Sequence, residues 1–81
     1  MIEELSPVVS LIDVPEYDLR AGDVGTVVDV HTKGAPGVGY SVEFLTMCGD
    51  TIAVLELEAT QIRPTRATDV AHVRELASTQ M

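Results

Sequence analysis

Asp29 and His31 stand two apart in the run Val27-Val28-Asp29-Val30-His31. In an extended strand that spacing sends both side chains to one face. A histidine beside a carboxylate is the beginning of a metal site or of a general base. Either chemistry needs more, a further ligand or a nucleophile for the base to activate. Neither stands nearby in the sequence, so the pair reads as a polar strand end. Gly34-Ala35-Pro36-Gly37-Val38-Gly39-Tyr40-Ser41 is a partial match to the phosphate-binding loop G-x-x-x-x-G-K-[ST]. That loop needs a lysine on the phosphates and the amides of a following helix. Here Tyr40 replaces the lysine and an alternating strand follows, so a glycine-rich hairpin turn is expected. Cys48 lies between Met47 and Gly49-Asp50, without the positive charge or helix start that activates a thiol. His72, near the C-terminus, reads as a solvated residue.

The acidic residues Asp13, Glu16, Asp18 and Asp23 crowd one stretch. Such a cluster suits a hard cation, but the calcium-loop spacing and its bidentate glutamate are missing. The other chemistry it offers is an acidic surface for a basic partner patch, with Tyr17 as an aromatic anchor in its midst.

The chain has 81 residues, 46% of them apolar and 22% charged, which is enough to fold and too little for two cores. Its 13 acidic and 5 basic residues give a net charge of −8. The imbalance is local: residues 1–60 hold 11 acids and 2 bases, whereas residues 61–81 hold 2 acids and 3 bases. The acidic field belongs to the body and the tail is nearly neutral. Such a body repels phosphate backbones and anionic lipid, so neither a nucleic acid nor a membrane is an expected partner. One cysteine forms no internal disulfide and no zinc quartet, which suits a reducing, cytoplasmic setting. The acidic start Met1-Ile2-Glu3-Glu4-Leu5 lacks the basic and apolar regions of a signal peptide. No apolar stretch is long enough to span a bilayer. Two tyrosines, one phenylalanine and no tryptophan are too few for an aromatic cage, and no cofactor is expected.

The elements that position these residues are mainly strands. Residues 8–12 are short, β-branched and bounded by Pro7 and Asp13. Residues 13–22, with Pro15 and a terminal glycine, read as a long irregular loop. Residues 23–31 form a second strand, in which Gly25 suggests a bulge or bend. Residues 33–39 turn the chain into the alternating strand 40–45, which places Tyr40, Val42 and Phe44 on one face. Residues 46–50 make a hairpin loop before a fourth strand, 51–58. Residues 59–61 make a tight 3₁₀-like turn before a last strand, 62–64, stopped by proline. Thr68 is a candidate N-cap, with Asp69 in the first turn and Val70, Val73 and Ala77 at helical spacing, Leu76 beside them.

Five short strands, a long first loop and a tight turn before the last strand predict a mainly β, antiparallel SH3-like barrel over residues 1–66, followed by a helical tail over 67–81. An open sheet with the helix on one face is the alternative. The expected core is Val24, Val28, Val30, Tyr40, Val42, Phe44, Leu55, Leu57 and Ile62. The opposite faces still carry Val27, Ile52 and Val54, so a cover is expected. It is either the tail, through Val70, Val73 and Leu76, or a second copy or another protein. With the loop residues Asp13, Glu16, Tyr17 and Asp18, these make the expected partner-binding set. In SH3-like folds the long first loop often flanks a peptide groove, which is an analogy of fold.

The runs Leu19 through Val30, Tyr40-Ser41-Val42-Glu43-Phe44, Thr51-Ile52-Ala53-Val54 and Gln61-Ile62-Arg63-Pro64 resemble, over roughly residues 8–66, the small bacterial domain-of-unknown-function family numbered 4926. That resemblance implies the SH3-like fold and no established activity. Members are similar to small accessory proteins encoded beside other genes, some of them toxin–antitoxin-like. Gly22-Asp23-Val24-Gly25-Thr26-Val27 also looks like the glycine-containing motif of KOW-type domains, which contact RNA or transcription proteins. The body here offers only Arg20 and Lys33 as positive side chains.

The expected function is therefore a non-catalytic interaction or accessory module, antitoxin-like or immunity-like, that binds another protein or itself. The alternatives are a small metal-dependent enzyme built on the histidines and carboxylates, and an RNA-binding KOW-like barrel.

Overall fold

The computed structural model describes residues 2–32 and 37–76. Five strands appear in it: β1 (Pro7–Ser10), β2 (Val24–His31), β3 (Gly39–Leu45), β4 (Thr51–Glu58) and β5 (Ile62–Pro64). Short 3₁₀ turns occupy Pro15–Tyr17 and Ala59–Gln61. The expected strand 8–12 is shortened and ends at Ser10. The Ser10 Oγ donates to the Ile12 carbonyl at 2.7 Å and accepts from the Ile12 amide at 3.2 Å, local bonds that accompany the bend at Ile12. The turn before β5 is closed by a capping box between Glu58 and Gln61.

All neighbours in the sheet are antiparallel, in the order β4-β3-β2-β1-β5. The hydrogen-bonded sheet is open, not the closed barrel expected. The turn after β4 carries the chain to the far edge, where the three residues of β5 pair with β1, and Pro64 brings no amide donor.

The core consists of Val8, Leu19, Val27, Tyr40, Val42, Phe44, Ala53, Leu57 and Ile62, with Val30, Leu55 and Ile52 among the half-buried residues packed around it. Tyr40, Val42, Phe44, Leu57 and Ile62 are buried as expected. Val24 and Val28 are exposed, and Val27 takes the interior position instead. The cause is a bulge. Val27 pairs with Val42 and Asp29 with Ser41, which leaves Val28 as the extra residue. One additional residue flips the alternation, so Gly25 and Val27 before the bulge and Val30 after it share the core side. Val27 therefore leaves the expected partner-binding set, since it is fully buried.

Gly25 is not the bulge residue. It stands opposite Phe44 on the core side, where a Cβ would lie 2.9 Å from Phe44 Cε1 and 2.7 Å from Val42 Cγ1. The glycine makes room for the ring. A second register shift, between Phe44 and Leu45, leaves Ile52 out of step on β4. Ile52 leans on the core while Val54 stays exposed.

The C-terminal helix is absent from the described residues. Thr68 does not cap one. Residues 67 and 68 form a turn, and the Asp69 carboxylate is engaged elsewhere, accepting from the Arg66 amide at 2.6 Å and from both terminal nitrogens of Arg63 at 3.0 and 2.9 Å. Residues 70–76 follow without regular structure. So short a helix is marginal alone, and Val70 and Val73 stay 86% and 74% exposed, without the buried face that would hold one. Ala77 of the expected helix lies outside the described residues.

Candidate functional site

The first loop, between β1 and β2, is more ordered than its composition suggests. Val14 and Leu19 pair as an isolated bridge, with amide–carbonyl bonds of 2.9 and 3.2 Å. Pro15 starts the 3₁₀ turn, where a fixed φ and a missing donor do no harm. Asp18 then adopts the left-handed conformation, with φ of 56°, and its amide donates to the Pro15 carbonyl. This small hairpin is pinned to the core by buried Leu19. Two of the acids serve the loop backbone: Asp13 accepts from the Ala21 amide and Asp23 from the Arg20 amide, both at 2.8 Å. Glu16 and Tyr17 stand exposed at the tip.

The tail returns to this loop through one side chain that sequence reasoning missed. Arg74 donates from Nε to Asp23 Oδ1 at 3.1 Å and from Nη2 to Asp23 Oδ2 at 2.6 Å. Nη2 also donates to the Asp18 carbonyl at 2.7 Å, and Nη1 lies 3.8 Å from Asp18 Oδ2. Burial disfavours the Asp23 charge, but hydrogen bonds from Arg74 and the Arg20 amide and the charges of both arginines outweigh it. Its carboxyl is held below the ordinary carboxylate range. Hydrogen bonding to Asp23, opposed by desolvation, raises the Arg74 pKa above its ordinary value. Upstream, hydrogen bonds from Arg63 and from the Arg66 amide hold Asp69 down to about 2. The signal for Arg74 was the charge split itself, an acidic body followed by a tail that is not acidic.

Of the expected partner-binding residues, the structure gathers Glu16, Tyr17, Asp18 and Leu76. With Pro15 they line a shallow groove of about 300 Å³. Val73 and His72 border a second depression of about 270 Å³ with Arg20, Ala21, Gly22, Asp23 and Arg74. Asp13 lies at the loop's base. Val70 is exposed, and Ile52 and Val54 belong to β4 at one edge of the sheet, away from β1 in the strand order. The apolar tail residues therefore do not cover an apolar sheet face as expected. The tail meets the loop by charge.

Asp29 and His31 do gain neighbours, on β3 and β4. His31 Nε2 lies 2.8 Å from Ser41 Oγ, 3.2 Å from Glu56 Oε1 and 3.8 Å from Asp29 Oδ2. Ser41 Oγ donates to Glu56 Oε2 at 2.6 Å. A serine nucleophile donates its hydroxyl proton to the imidazole nitrogen facing it, while the other ring nitrogen donates to a carboxylate. Here serine and carboxylates share Nε2, the serine proton goes to Glu56, and Ser41 is buried. The arrangement is a polar clasp across three strands. Among the described residues, no group of three or more His, Cys, Asp or Glu is placed to hold a metal ion. Among the same residues no helix is long and apolar enough to cross a membrane. Cys48 is exposed on the β3–β4 hairpin, and a strand follows Gly39 where a phosphate loop would need a helix.

The fold and loop define a small all-β domain built on one antiparallel sheet. Residues 4–64 match the family described as Domain of unknown function (DUF4926), and the chain belongs to that family. The matched segment holds the sheet and the first loop, and Arg74 lies beyond it. Comparison with curated proteins and with solved structures finds no match.

Proposed function

We propose that this chain is a non-catalytic, SH3-like interaction module of the cell interior, an antitoxin-like or immunity-like accessory protein that holds another protein by its first loop. The strand order, the long loop between β1 and β2 and the 3₁₀ turn before β5 support the SH3-like reading. The observation that carries the role is the loop tip. Tyr17 is 47% exposed on a hairpin anchored by Leu19, so an aromatic side chain is held out to solvent by an ordered scaffold. Rigid aromatic anchors of this kind supply large contact area at low entropic cost. Glu16 and Asp18 beside it, with Asp13 at the loop's base, favour a basic or neutral protein surface over a polyanion.

A photo-crosslinking residue placed at Tyr17, and in a control at exposed Thr60, tests the role in the source cell. A discrete protein adduct from position 17 and none from position 60 is expected. No adduct from position 17, or the same adducts from both positions, contradicts it.

A further inference from the structure

We infer that Asp23 and Asp18 form an arginine-recognition cradle, that Arg74 is its tethered occupant, and that an arginine on an extended segment of the partner protein displaces it. The inference rests on the loop face being the docking surface and names the chemistry of what docks there.

The cradle receives a guanidinium in particular. Two adjacent nitrogens of Arg74 meet the two oxygens of one carboxylate, at 3.1 and 2.6 Å, and a third contact reaches a backbone carbonyl at 2.7 Å. An ammonium group has no parallel pair of donors to offer this geometry. The acceptors are set by the loop without help from the tail. Asp23 is oriented by the Arg20 amide, and the Asp18 carbonyl by a bridge and a 3₁₀ turn anchored through Leu19. The cradle therefore keeps its shape when Arg74 leaves. Apart from Arg74, and Leu76 at the loop groove, the strap is weakly fastened. Residues 70–76 have no regular structure, and Val70 and Val73 are exposed. Lifting the strap uncovers a partly buried carboxylate, which a second guanidinium satisfies equally well. The acidic body, 11 acids against 2 bases over residues 1–60, favours a neutral or basic segment as the replacement.

The test uses the full chain and a blocked peptide of residues 68–76, together with its Arg74→Ala and Arg74→Lys forms. Binding is read by amide chemical-shift titration to about 5 mM, a range set by the millimolar effective concentration of a short tether. The Arg74→Ala protein should bind the arginine peptide. Wild type should bind it about tenfold more weakly if the strap is closed ten times as often as open. The lysine peptide should lose about tenfold and the alanine peptide all binding, as should the arginine peptide against an Arg74→Ala/Asp23→Asn protein. Circular dichroism confirms that each variant is folded. Equal affinity for wild type and Arg74→Ala, no binding to Arg74→Ala, or binding that survives Asp23→Asn overturns the inference. If position 17 still crosslinks a partner in that event, the docking face stands and only the arginine cradle falls. If neither result appears, the reading beneath it falls too.

Discussion

Replacing Gly25 by alanine should cost this domain about 2 kcal/mol, because the site has no volume for a methyl group. A Cβ there would lie 2.7 Å from Val42 Cγ1, 2.9 Å from Phe44 Cε1 and 2.9 Å from the Glu43 carbonyl oxygen, where ordinary contacts begin at 3.4 Å. The two side-chain atoms give way by rotation. The third is backbone of the paired strand, so β2 and β3 must separate. Overpacking of this kind costs about 1–3 kcal/mol, and the entropy gained on replacing glycine returns about 0.5–1 kcal/mol of it. In a domain this small, a net 2 kcal/mol lowers Tm by roughly 10 °C. Urea unfolding followed by circular dichroism measures it, with an unchanged slope as the sign that the unfolded state is not the cause. Gly22→Ala is the contrast: nothing lies within 4 Å of its Cβ, and its cost comes from φ of 101° alone. Combining Gly25→Ala with Phe44→Leu, which removes the clashing ring atom, should cost less than the sum of the single changes. A Gly25→Ala protein within about 0.5 kcal/mol of wild type would refute the packing argument.

Val27→Ala should destabilise by about 2 kcal/mol and Val28→Ala by less than about 0.5, measured by the same unfolding experiment; the reverse order would remove the bulge. Carboxyl titration by NMR should place Asp69 at about 2 and Asp23 below its ordinary 3.8. Both values are depressed, so the tail contacts are complete above the ordinary carboxyl range and are lost as pH falls through the shifted values. Tail amides should therefore loosen between about pH 4 and pH 2, and midpoints at ordinary values would show the ion pairs are not formed. Ser41→Ala should cost about 1 kcal/mol, since its hydroxyl bridges His31 and Glu56, and a neutral effect would show that the clasp holds nothing.

Strand positions were legible in the sequence because β-branched runs and turn residues are local signals. Thr51–Glu58, the turn at Ala59–Gln61 and the stop at Pro64 fall where composition puts them. The interior of β2 was not legible. Its runs of valine satisfy either alternation, and the bulge that chooses Val27 over Val28 comes from pairing with β3, a long-range event. The helix expected after Thr68 failed for a related reason. Asp69 is as good a turn residue as a first-turn acid, and Arg63 and Arg66 decide between the two roles. The loop's acidity and Tyr17 were visible. The pairing of Arg74 with Asp23 spans 51 residues and leaves no local trace beyond the change in charge along the chain.

The claim that loop and tail make one surface is tested most directly by comparing ¹⁵N spectra and heteronuclear NOEs of wild type and Arg74→Ala. The account predicts that residues 70–76 are ordered on the nanosecond scale in wild type and lose that order in the variant. Amides of residues 17–23 should shift while those of β3 and β4 stay in place. Tail amides already mobile in wild type, with loop shifts unaffected by the substitution, would contradict it.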